Sequence, residues 1–477
     1  MLQLEYYTLS VVSLGVTRVA GGLVEPSVFV DRGHELSLLE ELWRSGEPGL
    51  VIVYGRRRVG KTRLLLEWGR GKRLVYYQAS LWGHEQNLQG LVEAIVEQLG
   101  LEELREFKPS NLRALLRLLT RLVGNERLVL VIDEFSYWLR VAEPVLADIQ
   151  WFVDHVLPST RILLVLSGSI IGLMERSVAG TGAPLYGRAR LRIRLDELPP
   201  WCLPFFAPGY SAEQLVELYS LLGGIPHYLR LVDDSLEPLE AWLRLFGPGG
   251  VLQDEPLFIM REEFRDPHPY LSLARGLAPG PTSLGKAASA AGMPTSHASR
   301  YMYALVSLGF VEEVPLLFYK RRRLYRLRDK ALRSWLYLLE PLLISSPRSM
   351  QRLRERFTHV VATTWEELAE KHSTTVLAPG QGIKPTMAGK LLSRGEEIDW
   401  VIIDSDRERV LGVEAKWSDL GPRDAERIVE ETRRKIAALL PARLRGYRVD
   451  VVIYARSCEG CDNVVTARDL PWKTMCK

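Results

Sequence analysis

The chain has 477 residues, too many for one ordinary core, and its length suggests about three domains. Hydrophobic residues make up 47% and charged residues 25%, the balance of a soluble globular protein. The longest apolar runs, such as 128–132 and 162–166, are strand-sized and fall far short of the ~20 residues of a membrane span, so no membrane partner and a cytoplasmic location are expected. Net charge is only +4, but twelve Lys/Arg against three acids (Asp329, Glu340, Glu355) fall between Lys320 and Arg356, a local +9 that marks a candidate contact for nucleic acid.

Residues 1–28 read as an N-terminal extension. The mildly apolar stretch 9–24 lacks a basic leader, contains Arg18 and runs into Glu25. From Phe29 to about Pro200 strands and helices alternate. Apolar runs at 50–54, 74–79, 128–132 and 162–167 are separated by segments with helical spacing at 61–68, 91–99 and 112–123. Such continuous apolar strands predict a parallel sheet covered on both faces. Residues 201–265 follow a helical pattern, broken at Gly223-Gly224-Ile225-Pro226.

The motif Gly55-Arg56-Arg57-Arg58-Val59-Gly60-Lys61-Thr62, followed by Arg63, fits GxxxxGK[ST] in full, with a strand leading in and an apolar-periodic helix leading out. Its glycines let successive N–H groups turn toward phosphate oxygens, and the following helix adds its positive dipole end. ATP is the expected cofactor. Lys61 is expected on the β- and γ-phosphates and Thr62 on Mg²⁺. The apolar run 128–132 ends in Asp133-Glu134, which puts two carboxylates at the sheet edge where ligands of open α/β sheets bind. Asp133 is expected to hold Mg²⁺ through water and Glu134 to activate the attacking water. Ser167 or Ser169, at the tip of the next strand, either senses the γ-phosphate or positions water, or is a plain turn residue. Arg188 is a candidate transition-state arginine, acting in its own subunit or across an interface if the chain is an oligomer. Arg190, Arg192 and Arg194 alternate with apolar residues as one solvated strand face does.

Together Phe29-Val-Asp-Arg32, the 54–62 motif, Asp133-Glu134, Pro184-Leu-Tyr-Gly-Arg188 and Gly223-Gly-Ile-Pro226-His-Tyr-Leu229 resemble the archaeal-type ATPases of the AAA+/STAND group of P-loop NTPases. The resemblance implies a helical lid over 201–265, with Pro226 near the nucleotide and residues 29–32 near the adenine. It also implies a winged helix. The residues themselves, over 266–345, read as helices at 283–291 and 296–307 around Gly292-Met293-Pro294, with strand-like segments after them. Ser296, His297, Ser299 and Arg300 open the second helix with groups able to reach bases or phosphates, and Lys320-Arg321-Arg322-Arg323 suits phosphate contact, so DNA is the expected partner of this domain and of the basic segment 320–356.

Residues 346–477 hold a long helix, strands, a helix at 424–440 and a strand at 449–455. Within them Asp399, Glu414 and Lys416 form an acid–spacer–ExK pattern. Residues two apart on a strand share a face, so Glu414 and Lys416 project together. Asp399 and Glu414 are expected to grip one Mg²⁺ while Lys416 places a water, chemistry that suits phosphodiester cleavage. The pattern resembles the PD-(D/E)xK, restriction-endonuclease-like core and, more narrowly, an uncharacterised domain fused to archaeal ATPases. Glu366 or Glu367 would supply that family's additional acid, and Ile398 stands where the family name has proline. The whole reads as an α/β multidomain ATPase. Its nucleotide state either gates a Mg²⁺-dependent nuclease domain or works a switch or DNA-binding regulator whose C-terminal domain is inactive. The four cysteines, with a lone Cys458-Glu-Gly-Cys461 pair, are expected to be free thiols or an incidental local disulfide.

Overall fold

A computed structural model describes residues 28–319, 322–341, 349–393 and 395–476. Residues 1–27 of the expected extension 1–28, and Lys320, Arg321 and Arg348, lie outside them. The order begins α1 (Gly33–Ser45), β1 (Gly49–Tyr54), α2 (Lys61–Gly69), β2 (Leu74–Gln78), α3 (His84–Leu99), α4 (Leu112–Val123), β3 (Leu128–Asp133). It continues with α5 (Phe135–Val141), α6 (Val145–His155), β4 (Ile162–Gly168), α7 (Ile171–Met174) and β5 (Ala189–Arg194). These strands form one parallel sheet in the order β2-β3-β4-β1-β5. The sequence dictates why β1, β3 and β4 are central: they are apolar up to the polar tips of β3 (Asp133) and β4 (Ser167) and buried along almost their whole length.

Strand periodicity then divides the core. Val51, Val53, Val129, Val131, Leu163 and Val165 face one side, and Leu50, Ile52, Leu130, Ile132, Leu164 and Leu166 the other. The second face packs α3–α6. The first continues without a break into α8 (Ala212–Leu222), α9 (Pro226–Leu229), α10 (Pro238–Phe246) and α11 (Glu255–Glu263). Ser211 and Gln214 form a reciprocal capping box that starts α8. The same core reaches α12 (His268–Leu277), α13 (Leu284–Ala290), α14 (Thr295–Ser307) and the antiparallel pair β6 (Val311–Val314) and β7 (Leu324–Leu327), followed by α15 (Lys330–Ser334). Three helices and a β-hairpin make this region a helix-turn-helix with a wing. Ala298, Met302 and Leu305 anchor α14, which leaves Ser296, His297, Ser299, Arg300 and Tyr303 exposed.

The C-terminal part comprises α16 (Ser349–His372), β8 (Met387–Ser393), β9 (Glu396–Asp404), β10 (Arg409–Leu420), α17 (Pro422–Leu439), β11 (Arg448–Cys458) and β12 (Val464–Thr466). Its sheet is mixed, in the order β12-β11-β10-β9-β8, with β10 parallel to β11 and antiparallel to β9. One face packs on α16 and shares a core with Trp201, Val216 and Val314, and the other packs on α17. The chain just after β6 extends this sheet: Leu317 N–H donates to Lys390 O and Lys390 N–H to Pro315 O, both at 2.9 Å. Of the two expectations, free thiols or a local disulfide, the second holds for Cys458–Cys461 and the first is corrected. Both cysteine pairs are disulfides, Cys458–Cys461 and the distant Cys202–Cys476, and no sequence spacing could have signalled the second. No helix among the described residues is long and apolar enough to cross a membrane.

Candidate nucleotide and nucleic-acid sites

Gly55 leaves β1 against the backbone that follows β5. A Cβ on Gly55 would lie 2.1 Å from Leu195 O, so only glycine lets the loop turn there. Gly60, at φ +100°, opens α2 in the left-handed region. Lys61 is buried within its own loop, where Nζ donates to Gly55 O and Arg56 O at 2.9 and 3.0 Å. Burial pulls it below the ordinary lysine value, with Glu134 and Asp133 opposing. Thr62 Oγ1 donates to Asp133 Oδ2 at 2.5 Å, and Tyr76 OH donates to the same oxygen at 2.8 Å. Asp133 Oδ1 accepts Glu134 N–H at 2.9 Å.

Glu134 turns the chain from β3 into α5 with φ +50°, a conformation a non-glycine residue holds at a cost and one that clusters at functional sites. Its Oε2 accepts from Ser169 Oγ at 2.5 Å and from Ser169 N–H at 3.2 Å. Burial raises the Glu134 carboxyl above the ordinary value, and Lys61 opposes that. The strand order explains these neighbours: β4 lies between β1 and β3, so its tip places Ser169 beside the acids of β3.

A cleft of about 330 Å³ opens over the loop. It is lined by Val28–Val30, Arg32, Arg58 through Arg63, Glu134, Pro226, His227 and Arg230, among others. Arg32 fixes the near wall by donating to Val59 O at 3.2 Å and Asp196 O at 2.8 Å. Pro226 is set by the glycine turn before it, since a Cβ on Gly224 would lie 1.8 Å from Leu198 O. Burial, with Arg58, Arg230 and Arg57 nearby, holds His227 down to about 4, so it is neutral at pH 7.

The structure places the side chains of several expected site residues away from this cleft. The side chains of Arg56 and Arg57 do not line this cleft. Arg56 pairs with Asp329 and stacks over Phe310 at 4.9 Å, while Arg57 donates to Tyr137 OH at 3.0 Å and meets Glu262 at 3.5 Å. Arg58 lines the cleft and also pairs with Glu255 at 2.8 Å. Ser167 is fully buried and its hydroxyl has no partner; Ser169 is the serine that touches an acid. Arg188 grips Asp154 at 2.7 and 3.0 Å and lines no part of the cleft. The 29–32 segment and the Pro226-His227 turn line the cleft where the resemblance led one to expect them, whereas Tyr76, whose contact with Asp133 depends on strand order, was not foreseen.

The basic segment is also less basic in space than in sequence. Arg326 pairs with Glu312 and Glu370, Lys330 and Arg333 with Glu367, and Arg328 with Asp196. Arg323 meets Glu313 at 2.6 Å. These acids lie outside the counted window and pair five of its basic residues, while Arg56 and Arg275 from outside pair two of its three acids, Asp329 and Glu340.

In the C-terminal sheet, Asp399 and Glu414 follow directly on the Val413↔Trp400 pair of β9 and β10. Lys416 Nζ lies 2.8 Å from Glu414 Oε1 and 3.8 Å from Asp399 Oδ2, and Asp399 Oδ2 accepts Ala415 N–H at 2.9 Å. Glu367 is drawn away to Lys330 and Arg333, but Glu366 faces this cluster. Burial raises both Glu366 and Glu414, and Asp399 adds to each effect. A second lysine, Lys390 of β8, is buried against Glu397 at 2.8 Å and Glu366 at 3.3 Å. Burial works against its charge, yet Glu366 and Glu397 outweigh it and hold Lys390 above the ordinary lysine value.

Residues 29–232 match an ATPase domain predominantly from Archaea, residues 276–315 the IclR helix-turn-helix domain, and residues 343–428 a family of archaeal and bacterial proteins of unknown function. The chain is 26% identical over 423 residues to an uncharacterized protein, MJECL04, of Methanocaldococcus jannaschii, covering 86% of this chain and 92% of that one. It is 45% identical over 47 residues to an uncharacterized ATP-binding protein, MJ0423, of the same organism, covering 10% of this chain and 80% of the relative. Among solved structures it is similar to the Walker-type ATPase PABY2304 of Pyrococcus abyssi, with 20% identity, TM-score 0.49, and 65% and 96% of the two chains covered. It is also similar to the ORC2 protein of Aeropyrum pernix, with 15% identity, TM-score 0.35, and coverage of 71% and 96%.

Proposed function

We propose that the chain, whose residues 29–232 match an ATPase domain predominantly from Archaea, hydrolyses ATP in the Lys61–Glu134 cleft and that nucleotide state sets how its winged helix meets duplex DNA. One observation carries this reading. A single loop presents Lys61 and Thr62 to the acids of β3, while its three arginines are anchored in the lid and beside the wing. Lys61 leaves its two carbonyls for the β- and γ-phosphates. Glu134, aimed by Ser169, orients the attacking water and takes its proton. The hard oxygens of Thr62 and Asp133 fit Mg²⁺, which when bound neutralises charge on the phosphates. Arg300 and its exposed neighbours on α14, with Arg322 of the wing, make the DNA-facing surface.

The test is ATP turnover together with duplex binding at several salt concentrations. Turnover without any salt-dependent DNA binding overturns the DNA half, and absence of both overturns the whole.

At the C-terminal sheet, Asp399, Glu414, Lys416 and Glu366 support a Mg²⁺-dependent phosphodiester-cleaving site, with Asp399 and Glu414 as the metal-holding acids. A second reading, a domain that binds without cutting, is favoured by Lys390, whose ammonium already neutralises Glu366 and Glu397. Nicking of plasmid DNA in Mg²⁺ or Mn²⁺ that disappears in Glu414→Ala supports the first. Its absence in the parent protein supports the second.

A further inference from the structure

Cys202 is fully buried in the short helical turn Pro200–Phe205, and Cys476 lies in the C-terminal tail, 274 positions away. Their sulfurs are bonded and their Cα atoms are 5.2 Å apart. Asp31 joins them from the segment that lines the nucleotide cleft, and its carboxylate and both sulfurs all lie within 4.8 Å of one another. This is the only such group of three or more His, Cys, Asp or Glu ligands among the described residues. The Cys458–Cys461 pair has no third ligand of that kind.

Contacts other than the disulfide hold the two cysteines together. Lys473 N–H donates to Trp201 O at 2.9 Å, and Trp472 meets Trp201 edge-on with centroids 6.0 Å apart. Breaking the S–S bond therefore leaves both thiols side by side against Asp31. Two thiolates and a carboxylate from three distant parts of the chain are a donor set for a soft or borderline divalent ion, with a fourth position open to water.

We propose that Asp31, Cys202 and Cys476 form a two-state site, a disulfide when oxidised and a three-ligand seat for a zinc-class divalent metal when reduced. An external dithiol supplies two electrons and two protons. The Cys202–Cys476 bond breaks, two thiols form, and the dithiol closes to its own disulfide. Metal entry then displaces both thiol protons to solvent. The oxidised state joins two segments, the first turn of the lid and the C-terminal tail, and the metal-bound state would add the third, the near wall of the nucleotide cleft.

The experiment uses the full chain carrying Cys458→Ser and Cys461→Ser, so that the other pair cannot bind metal. Protein reduced with a dithiol and freed of it anaerobically is titrated with Co²⁺ and read by thiolate-to-cobalt absorption. One equivalent is expected in the reduced protein and none in the oxidised. Cys202→Ser should abolish the absorption, and Asp31→Asn should weaken binding by about tenfold or more. Binding no different between reduced and oxidised protein overturns the proposal. So does reduced-protein binding that survives Cys202→Ser. The redox comparison requires no substitution at the site, so it remains decisive even where a variant misfolds.

Discussion

Arg56 and Asp329 tie the phosphate loop to the end of the winged helix. The buried Asp329 carboxylate receives the Arg56 guanidinium and, through its other oxygen, accepts Leu332 N–H at 3.0 Å, capping α15. A movement of the loop on nucleotide binding would be passed through this pair to the element that follows the wing. Arg56→Gln leaves the Asp329 charge buried without its partner, which costs about 3–5 kcal/mol. Denaturant unfolding should show that loss. In the variant, ATP should no longer change affinity for duplex DNA, whereas ATP itself should still bind. Retained nucleotide control of DNA binding in a folded Arg56→Gln protein would refute the coupling.

Glu134→Gln keeps the shape of the cleft and removes the proposed base. Turnover should fall about 10²–10⁴-fold, the range of positioned general-base catalysis, with ATP binding intact. Ser169→Ala removes the hydroxyl that aims Glu134 at 2.5 Å. A hydrogen bond to a charged group is worth roughly 1.5–3 kcal/mol, so turnover should drop at least about tenfold with little change in KM. An unaltered rate in Ser169→Ala would mean that Ser169 does not orient Glu134.

What could be read along the chain was what lies in local spacing. The apolar runs and the GxxxxGK[ST] motif located β1, β3, β4 and the loop, because a strand buried on both faces is apolar at nearly every position. The helix-turn-helix was visible from its turn residues. Neighbours set by strand order were not visible. Ser167 and Ser169 are equivalent by spacing, and only the place of β4 between β1 and β3 brings Ser169 to Glu134. Adjacent Glu366 and Glu367 differ for the same reason, since successive positions on α16 meet different modules, Lys390 in one case and Lys330 with Arg333 in the other. The +9 window does not give the local charge in space, because a count along the chain omits acids contributed from elsewhere, such as Asp196 and Glu370.

Glu370 makes one such pairing testable by pH. Burial lifts its carboxyl to about 7 from an unfolded value of 4.5, even though Arg326 opposes the shift. Between those values the folded state holds the proton more tightly than the unfolded one, so the contribution to stability is full below 4.5 and declines as pH rises toward 7. Gln imitates the protonated acid. Glu370→Gln should therefore match the parent at low pH and gain on it steadily across that window. Denaturant midpoints of the two proteins that run parallel across the window would show that Glu370 ionises normally.

Lys390 offers a way to separate the two readings of the C-terminal sheet. Its ammonium lies among Glu366, Glu397 and Asp399, where a divalent ion would be repelled by it. Lys390→Met keeps a similar apolar stem and removes the charge, leaving the acids to compete for a cation. Calorimetric titration with Mn²⁺ should then show tighter binding than in the parent, and Glu414→Ala in the same background should reverse the gain. If the site cuts DNA, nicking should rise with occupancy at subsaturating metal. If the domain only binds, metal affinity should rise without any nicking. Unchanged Mn²⁺ binding in a folded Lys390→Met protein would show that the acids of β9 and β10 do not form a metal site at all.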